Sequence, residues 1–314
     1  MTHRSKWQEL PTEAINPATL GLDKLSATDI VELMMQEDRK MIAAVQREKT
    51  RISLGVDIIT QSLRKGGRMI FVGAGTSGRL GVVESAEMPP TFGTPASMVQ
   101  AIMAGGQGAV LQAKEGVEDR YEDGARAVNR LLPTRKDVVI GVSASGMTQF
   151  VLGALTFARK AGSKIIFVTC DPGTELQTFV DLTIAPSVGP EVIAGSTRLK
   201  AGTATKLVLN MLTTAAMVRI GKTYGNLMVD VQTGSEKLRD RARRIVMIVA
   251  GLDDDESDKL LRRAHWNTKA AIVMHKANLS YSKALARLRK AHDSVGEAIG
   301  EDLEPRLKEL LHVS

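Results

Sequence analysis

The stretch 70-IFVGAGTSGRLGVVESAEMPP-90 decides how this chain is read. An apolar run ends in Gly73, Gly75 and Gly78, the G-x-G-x-x-G spacing of a dinucleotide-binding turn. Thr76, Ser77 and Arg79 sit inside and beside it, and Glu84 and Glu87 follow. A dinucleotide site also needs an acidic residue about 20 residues on, at the end of the second strand, to hold the ribose. Here that strand ends 101-AIMAGG-106, without a carboxylate, which argues against NAD. Thr76 and Ser77 offer hydroxyls, and the helix N-terminus behind them offers amides and a positive dipole end. The phosphate of a smaller ligand is the better fit.

Outward from this stretch, short apolar runs alternate with helical patterns. Strands are expected at 68–75, 96–106, 137–146, 164–172 and 180–186. Helices are expected over 26–67, with Ser26 as a cap, from near Ser77, over 112–131, over 147–161 up to Gly162, and over 195–221. This alternation predicts an α/β fold with a doubly wound parallel sheet, whose ligands bind outside the C-terminal strand ends. A second glycine turn, 143-SASGMT-148, lies at such an end and adds Ser143, Ser145 and Thr148. Two hydroxyl-rich turns on one sheet edge suit a sugar phosphate. From about 236 the pattern is helical throughout, with helices expected at 236–251, 255–266, 268–277 and 280–299. The domain boundaries read from this are 1–235, the sugar-phosphate domain with N-terminal helices, and 236–314, a small helical module.

The 314 residues carry a net charge of +7, too little for the dense basic patch of a nucleic-acid binder, and aromatics at 4% argue against a base-stacking platform. The segment MTHRSKWQELPTEAINP lacks the apolar core of a signal peptide, and no apolar run has the length of a membrane span. A cytoplasmic protein with neither nucleic-acid nor membrane partners is expected. The single cysteine, Cys170, ends an apolar strand and reads as core. His265, His275, His292 and His312 lack metal-site spacing, and 253-DDDE-256 reads as a helix start, not a calcium loop.

The pair GAGTSGR…SASGMT resembles the sugar isomerase (SIS) domain. The longer segments 10-LPTEAINPATLGLDKLS-26, 73-GAGTSGRLGVVESAEMPPTFG-93 and 196-STRLKAGTATKLVLNML-212 are similar to the N-acetylmuramic acid 6-phosphate etherases, over most of the chain. The resemblance implies cleavage of a D-lactyl ether from a sugar phosphate during recycling of cell-wall sugars, with no metal or organic cofactor. An ether resists direct hydrolysis because alkoxide is a poor leaving group, whereas the open-chain aldehyde acidifies the neighbouring C–H and opens an elimination route. That route calls for a base, an acid and a phosphate anchor.

By resemblance, 84-ESAE-87 corresponds to the family's D-A-S-E motif. Glu87 is then the expected proton donor and Glu118, in the stretch that follows, the candidate base, with the division between them left open. Glu84 stands where the family has an aspartate. Thr76, Ser77, Ser143, Ser145 and Thr148 are the expected phosphate contacts, while Arg79 braces the turn or contacts the ligand. Glu191, Ser196, Arg198 and Lys200 are candidates for the sugar or its carboxylate, or else helix-start caps and surface charges. Two alternatives share the fold. One is a sensor of the glucokinase regulatory protein type, which resembles two SIS domains in tandem; the other is an aldose–ketose isomerase. A homodimer is expected, because single domains of this kind often build their sites between copies.

Overall fold

The computed structural model describes residues 10–312. The chain packs as two compact units: one runs up to Ala86 and continues over Ser97–Thr213, and the other joins Glu87–Ala96 to the chain from Thr214 onward.

Along the chain α1 (Ala27–Arg47) and α2 (Lys49–Arg64) lead into β1 (Met69–Gly73) and α3 (Gly75–Phe92), whose residues through Ala86 belong to the first unit. Then come β2 (Val99–Met103), α4 (Gly108–Leu111), α5 (Tyr121–Asn129), β3 (Val138–Val142), α6 (Gln149–Lys160), β4 (Lys164–Val168), β5 (Leu182–Ile184) and α7 (Lys200–Arg219). Ser26 caps α1, its Oγ accepting the Asp29 amide at 3.2 Å. The strands form one parallel sheet in the order β2-β1-β3-β4-β5. β1 and β3 are buried along their whole length, as strands covered by helices on both faces must be. Ile70, Val72, Val139, Ile165 and Phe167 pack under Phe150, Val151, Ala154 and Leu155 of α6, and this apolar layer holds the loops at the strand ends in place. Strand order reverses between β1 and β3, which opens a crevice where both strands end.

Two expected helices differ. Over 112–131 only Tyr121–Asn129 is helical. Gly116 sits at φ 71°, outside helical geometry, and the Glu118 carbonyl accepts the Phe150 amide at 2.9 Å instead of an amide four residues on. Residues 112–120 are therefore a loop, and Glu118 is a loop residue. The stretch 280–299 is likewise two helices, broken where His292 and Asp293 take φ values of 50° and 60°.

The second unit contains α8 (Glu236–Ala250), α9 (Asp254–Arg263), α10 (Thr268–Lys276), α11 (Tyr281–Lys290), α12 (Val295–Ile299) and α13 (Glu304–Leu311). Asp253 and Glu256 form a reciprocal capping box at the start of α9, as the helix-start reading of the acidic run expected. Thr268–Met274 of α10 are buried on every side, which makes this helix the centre of the unit. Ile245, Val246, Leu261 and Leu288 pack in the same core. No helix among the described residues is long and apolar enough to cross a membrane.

Candidate active site

A cavity of about 310 Å³ opens at the crevice between β1 and β3. Thr76 and Ser77 reach it from the first turn of α3. The first intrahelical bond of α3 runs from the Gly78 amide to the Ala74 carbonyl at 3.1 Å. The amides of Gly75, Thr76 and Ser77 precede it, at the positive end of the helix dipole. Gly73 and Gly78 make the turn this tight: a Cβ on Gly73 would stand 2.7 Å from the Gly78 nitrogen.

From β3 come Ser143, Ser145 and Thr148, all lining the same cavity. The Ser143 and Thr148 hydroxyls lie 2.7 Å apart, so Thr148 leaves the start of α6 uncapped by its side chain and turns to its neighbour. Five hydroxyls and a helix N-terminus thus face one space, the donor set that a phosphate monoester needs.

Glu118 lines the cavity as well, half-buried, on the loop pinned to α6 through the Phe150 amide. Glu87 does not line it. It is exposed on α3, ten residues beyond Ser77, about 15 Å along the axis at 1.5 Å per residue. Arg79 lines the cavity and also braces it, donating from Nε to the Val110 carbonyl (2.9 Å) and from Nη2 to the Ala109 carbonyl (3.0 Å).

The four expected sugar contacts are placed elsewhere. Glu191 is fully buried and accepts the Lys200 and Ala201 amides at 3.0 and 2.9 Å, capping α7. Burial pushes its carboxyl above the ordinary range, against the opposing pull of those amides. Lys200 is buried, with Nζ 2.6 Å from Oε2 of Glu37. Ser196 is half-buried and, like these two, is not part of the cavity lining, and Arg198 is exposed outside it. Their helix-start pattern signals an anchor here: α7 begins where Glu191 and Glu37 hold it.

Glu84 is buried and ties α3 to α7, accepting hydrogen bonds from Asn210 and from the Thr213 hydroxyl, the latter at 2.6 Å. Its length, one carbon more than an aspartate, spans the gap between the two helices. Cys170 is buried and burial pushes its thiol up to about 12, so it stays protonated as core. Among the described residues no group of three or more His, Cys, Asp or Glu is arranged to hold a metal ion.

Sequence reasoning missed Glu13, Lys114, Glu115, Thr197 and Thr205, which also line the cavity. Glu13 arrives on the N-terminal segment, which is tied to the turn before α7 by the Gly195 amide on the Thr12 carbonyl at 3.1 Å. It lies in one of the recognisable motifs, but nothing in the sequence says which surface that segment crosses.

Fold and site together define a SIS-type domain. The SIS domain model matches residues 120–215, and the model of the glucokinase regulatory protein N-terminal SIS domain matches residues 51–159. Among solved structures, a phosphoheptose isomerase from Francisella tularensis is similar with a TM-score of 0.48 and 18% identity, covering 61% of this chain and 98% of that one. Full-length similarity is narrower in kind. An N-acetylmuramic acid 6-phosphate etherase of Salinibacter ruber is 48% identical over 94% of this chain and 95% of its own. N-acetylmuramic acid 6-phosphate etherase 2 of Vibrio cholerae is 44% identical over 94% of this chain and 96% of its own. The chain belongs to the N-acetylmuramic acid 6-phosphate etherase family.

Proposed function

We propose that this chain cleaves the D-lactyl ether of N-acetylmuramic acid 6-phosphate, giving N-acetylglucosamine 6-phosphate and D-lactate. The observation that carries the site assignment is one cavity joining both hydroxyl turns to Glu118. The 6-phosphate is held by the α3 amides with Thr76, Ser77, Ser145 and Thr148, and Ser143 orients Thr148. In the open-chain sugar the C1 aldehyde acidifies the C2 proton, which a carboxylate removes. The C3–O bond then breaks, its electron pair leaving on the lactyl oxygen, which takes a proton from an acid. Water adds at C3 of the unsaturated aldehyde and C2 regains a proton, so no redox partner is consumed.

Glu118 is the candidate base and Glu87 the candidate acid. Glu87 is exposed on α3 and is not part of the lining of its own copy's cavity. That supports a homodimer in which Glu87 of one copy serves the cavity of the other. The reaction needs no secretion or membrane and fits a cytoplasmic role in recycling cell-wall sugars. A regulatory sensor of the same fold is the less favoured reading, since the full-length similarity is to etherases.

The test is D-lactate release from N-acetylmuramic acid 6-phosphate. Turnover by the wild type, lost in Glu118→Gln and Glu87→Gln, supports the reading. A folded wild type that binds the sugar phosphate without releasing lactate overturns it.

A further inference from the structure

We propose that Lys114 is a specificity-determining residue of this cavity, the cation that reads the lactyl carboxylate. The inference rests on the etherase reading and extends it. That substrate carries two anions, a phosphate on C6 and a carboxylate on the ether side chain, and the hydroxyl turns account for the first.

Charge around the cavity leaves the second anion few places to bind. Three carboxylates line the space, Glu13, Glu115 and Glu118, against Arg79 and Lys114 among the described residues. The Arg79 guanidinium already donates from two of its nitrogens to the carbonyls that end α4. The Lys114 ammonium has three donors, and the structure shows one of them on the Gly105 carbonyl at 3.0 Å. Its Nζ stands over the start of α4, 3.1 Å from where a Cβ on Gly108 would lie, so the flat glycine backbone leaves the ammonium room. A buried or half-buried carboxylate binds where it meets a charge-assisted donor and is rejected where it meets another carboxylate. Lys114 supplies that donor.

Position in the chain supports the assignment. Lys114 lies four residues before Glu118 on the loop pinned to α6, so the cation and the candidate base are carried by one element. In the elimination, the proton leaves C2 and the lactyl group leaves C3, the adjacent carbon. A cation holding the lactyl carboxylate close to Glu118 therefore orients the leaving group at the reacting bond.

The experiment compares Lys114→Met, Lys114→Gln and Lys114→Arg with the wild type in lactate release, and measures inhibition by N-acetylglucosamine 6-phosphate and by N-acetylmuramic acid. The first inhibitor keeps the phosphate and lacks the carboxylate; the second is the reverse. Expected for Met and Gln are a KM raised roughly tenfold or more and a matching loss of N-acetylmuramic acid inhibition. Inhibition by N-acetylglucosamine 6-phosphate stays within about twofold, which also certifies the fold, and Arg retains most of the affinity. An unchanged KM makes Lys114 a loop brace and overturns the proposal. Equal weakening of both inhibitors makes it a phosphate contact and overturns it too. If the wild type binds N-acetylmuramic acid 6-phosphate but releases no lactate, the etherase reading fails. The carboxylate assignment is then decided by whether Lys114→Gln weakens that ligand more than N-acetylglucosamine 6-phosphate.

Discussion

Lys200 and Glu37, 163 residues apart in the chain, meet as a buried ion pair with Nζ 2.6 Å from Oε2. Asn16 donates to the same carboxylate at 3.0 Å and to the Pro190 carbonyl at 3.4 Å. The pair thus fastens together the N-terminal segment, α1, the loop after β5 and the start of α7. Glu13 and Thr197 reach the cavity from two of these pieces.

Breaking this pair from one side leaves a buried charge without its partner. Lys200→Met is expected to cost about 3–5 kcal/mol, read as a lower urea midpoint. The double variant Glu37→Met/Lys200→Met is expected to recover much of that loss, since both desolvation costs disappear. A single variant as stable as the wild type would show that the pair does not hold these segments.

Acid sensitivity follows from the same carboxylate. Burial alone would raise the Glu37 pKa, but hydrogen bonds from Lys200, Lys40 and Asn16 bring it down from 4.5 to about 2. Its contribution is therefore complete above about pH 4.5, where the unfolded chain is ionised too, and is lost as pH falls toward 2. Asp137 acts in the same direction: despite burial, the Arg68 guanidinium and the Thr134 and Arg68 amides hold its carboxyl low. Urea midpoints measured from pH 6 to pH 3 are expected to fall, and to fall less steeply in Glu37→Gln.

Glu118→Gln keeps the shape of the cavity and removes the carboxylate proposed as the base. The expected loss in kcat is about 10²–10⁴-fold, with N-acetylglucosamine 6-phosphate affinity unchanged within a few-fold. If Glu87 serves the other copy's cavity, mixing Glu87→Gln with Glu118→Gln restores part of the activity, because some mixed dimers hold one intact site. Two dead variants that stay dead when mixed, under conditions where subunits exchange, would assign Glu87 to its own copy's chemistry or to none.

The turn after β1 tolerates no side chain at its closest approach. A Cβ on Gly78 would stand 2.7 Å from the Gly73 carbonyl oxygen, a backbone atom that cannot swing away. Gly78→Ala is expected to lower the melting temperature and to weaken sugar-phosphate binding together. Gly66→Ala, with φ 73° and nothing within 4 Å of the added methyl, is the comparison. It strains the backbone without touching the cavity, so stability falls while binding by the folded fraction stays the same.

The sequence alone determined the alternation of buried strands and helices, and with it the parallel sheet. Strands covered on both faces leave uninterrupted apolar runs such as 69–73 and 138–142, and the glycines after them mark the turns. The hydroxyl-lined side of the cavity was legible for the same reason: hydroxyls and glycines stand in contiguous turns at strand ends, so local chemistry and position coincide. Long motif similarity carried the family. Tertiary structure alone decided what the isolated charges do. A lysine or glutamate reads the same in sequence whether it faces ligand, solvent or a partner far along the chain. Only packing commits Lys200 to Glu37, Glu191 to the start of α7 and Glu84 to Thr213, and brings Glu13 and Lys114 to the cavity. The loop at 112–120 was hidden for a related reason: its helical composition is overridden by Gly116 and by a carbonyl bonded to α6, a contact between residues 32 apart.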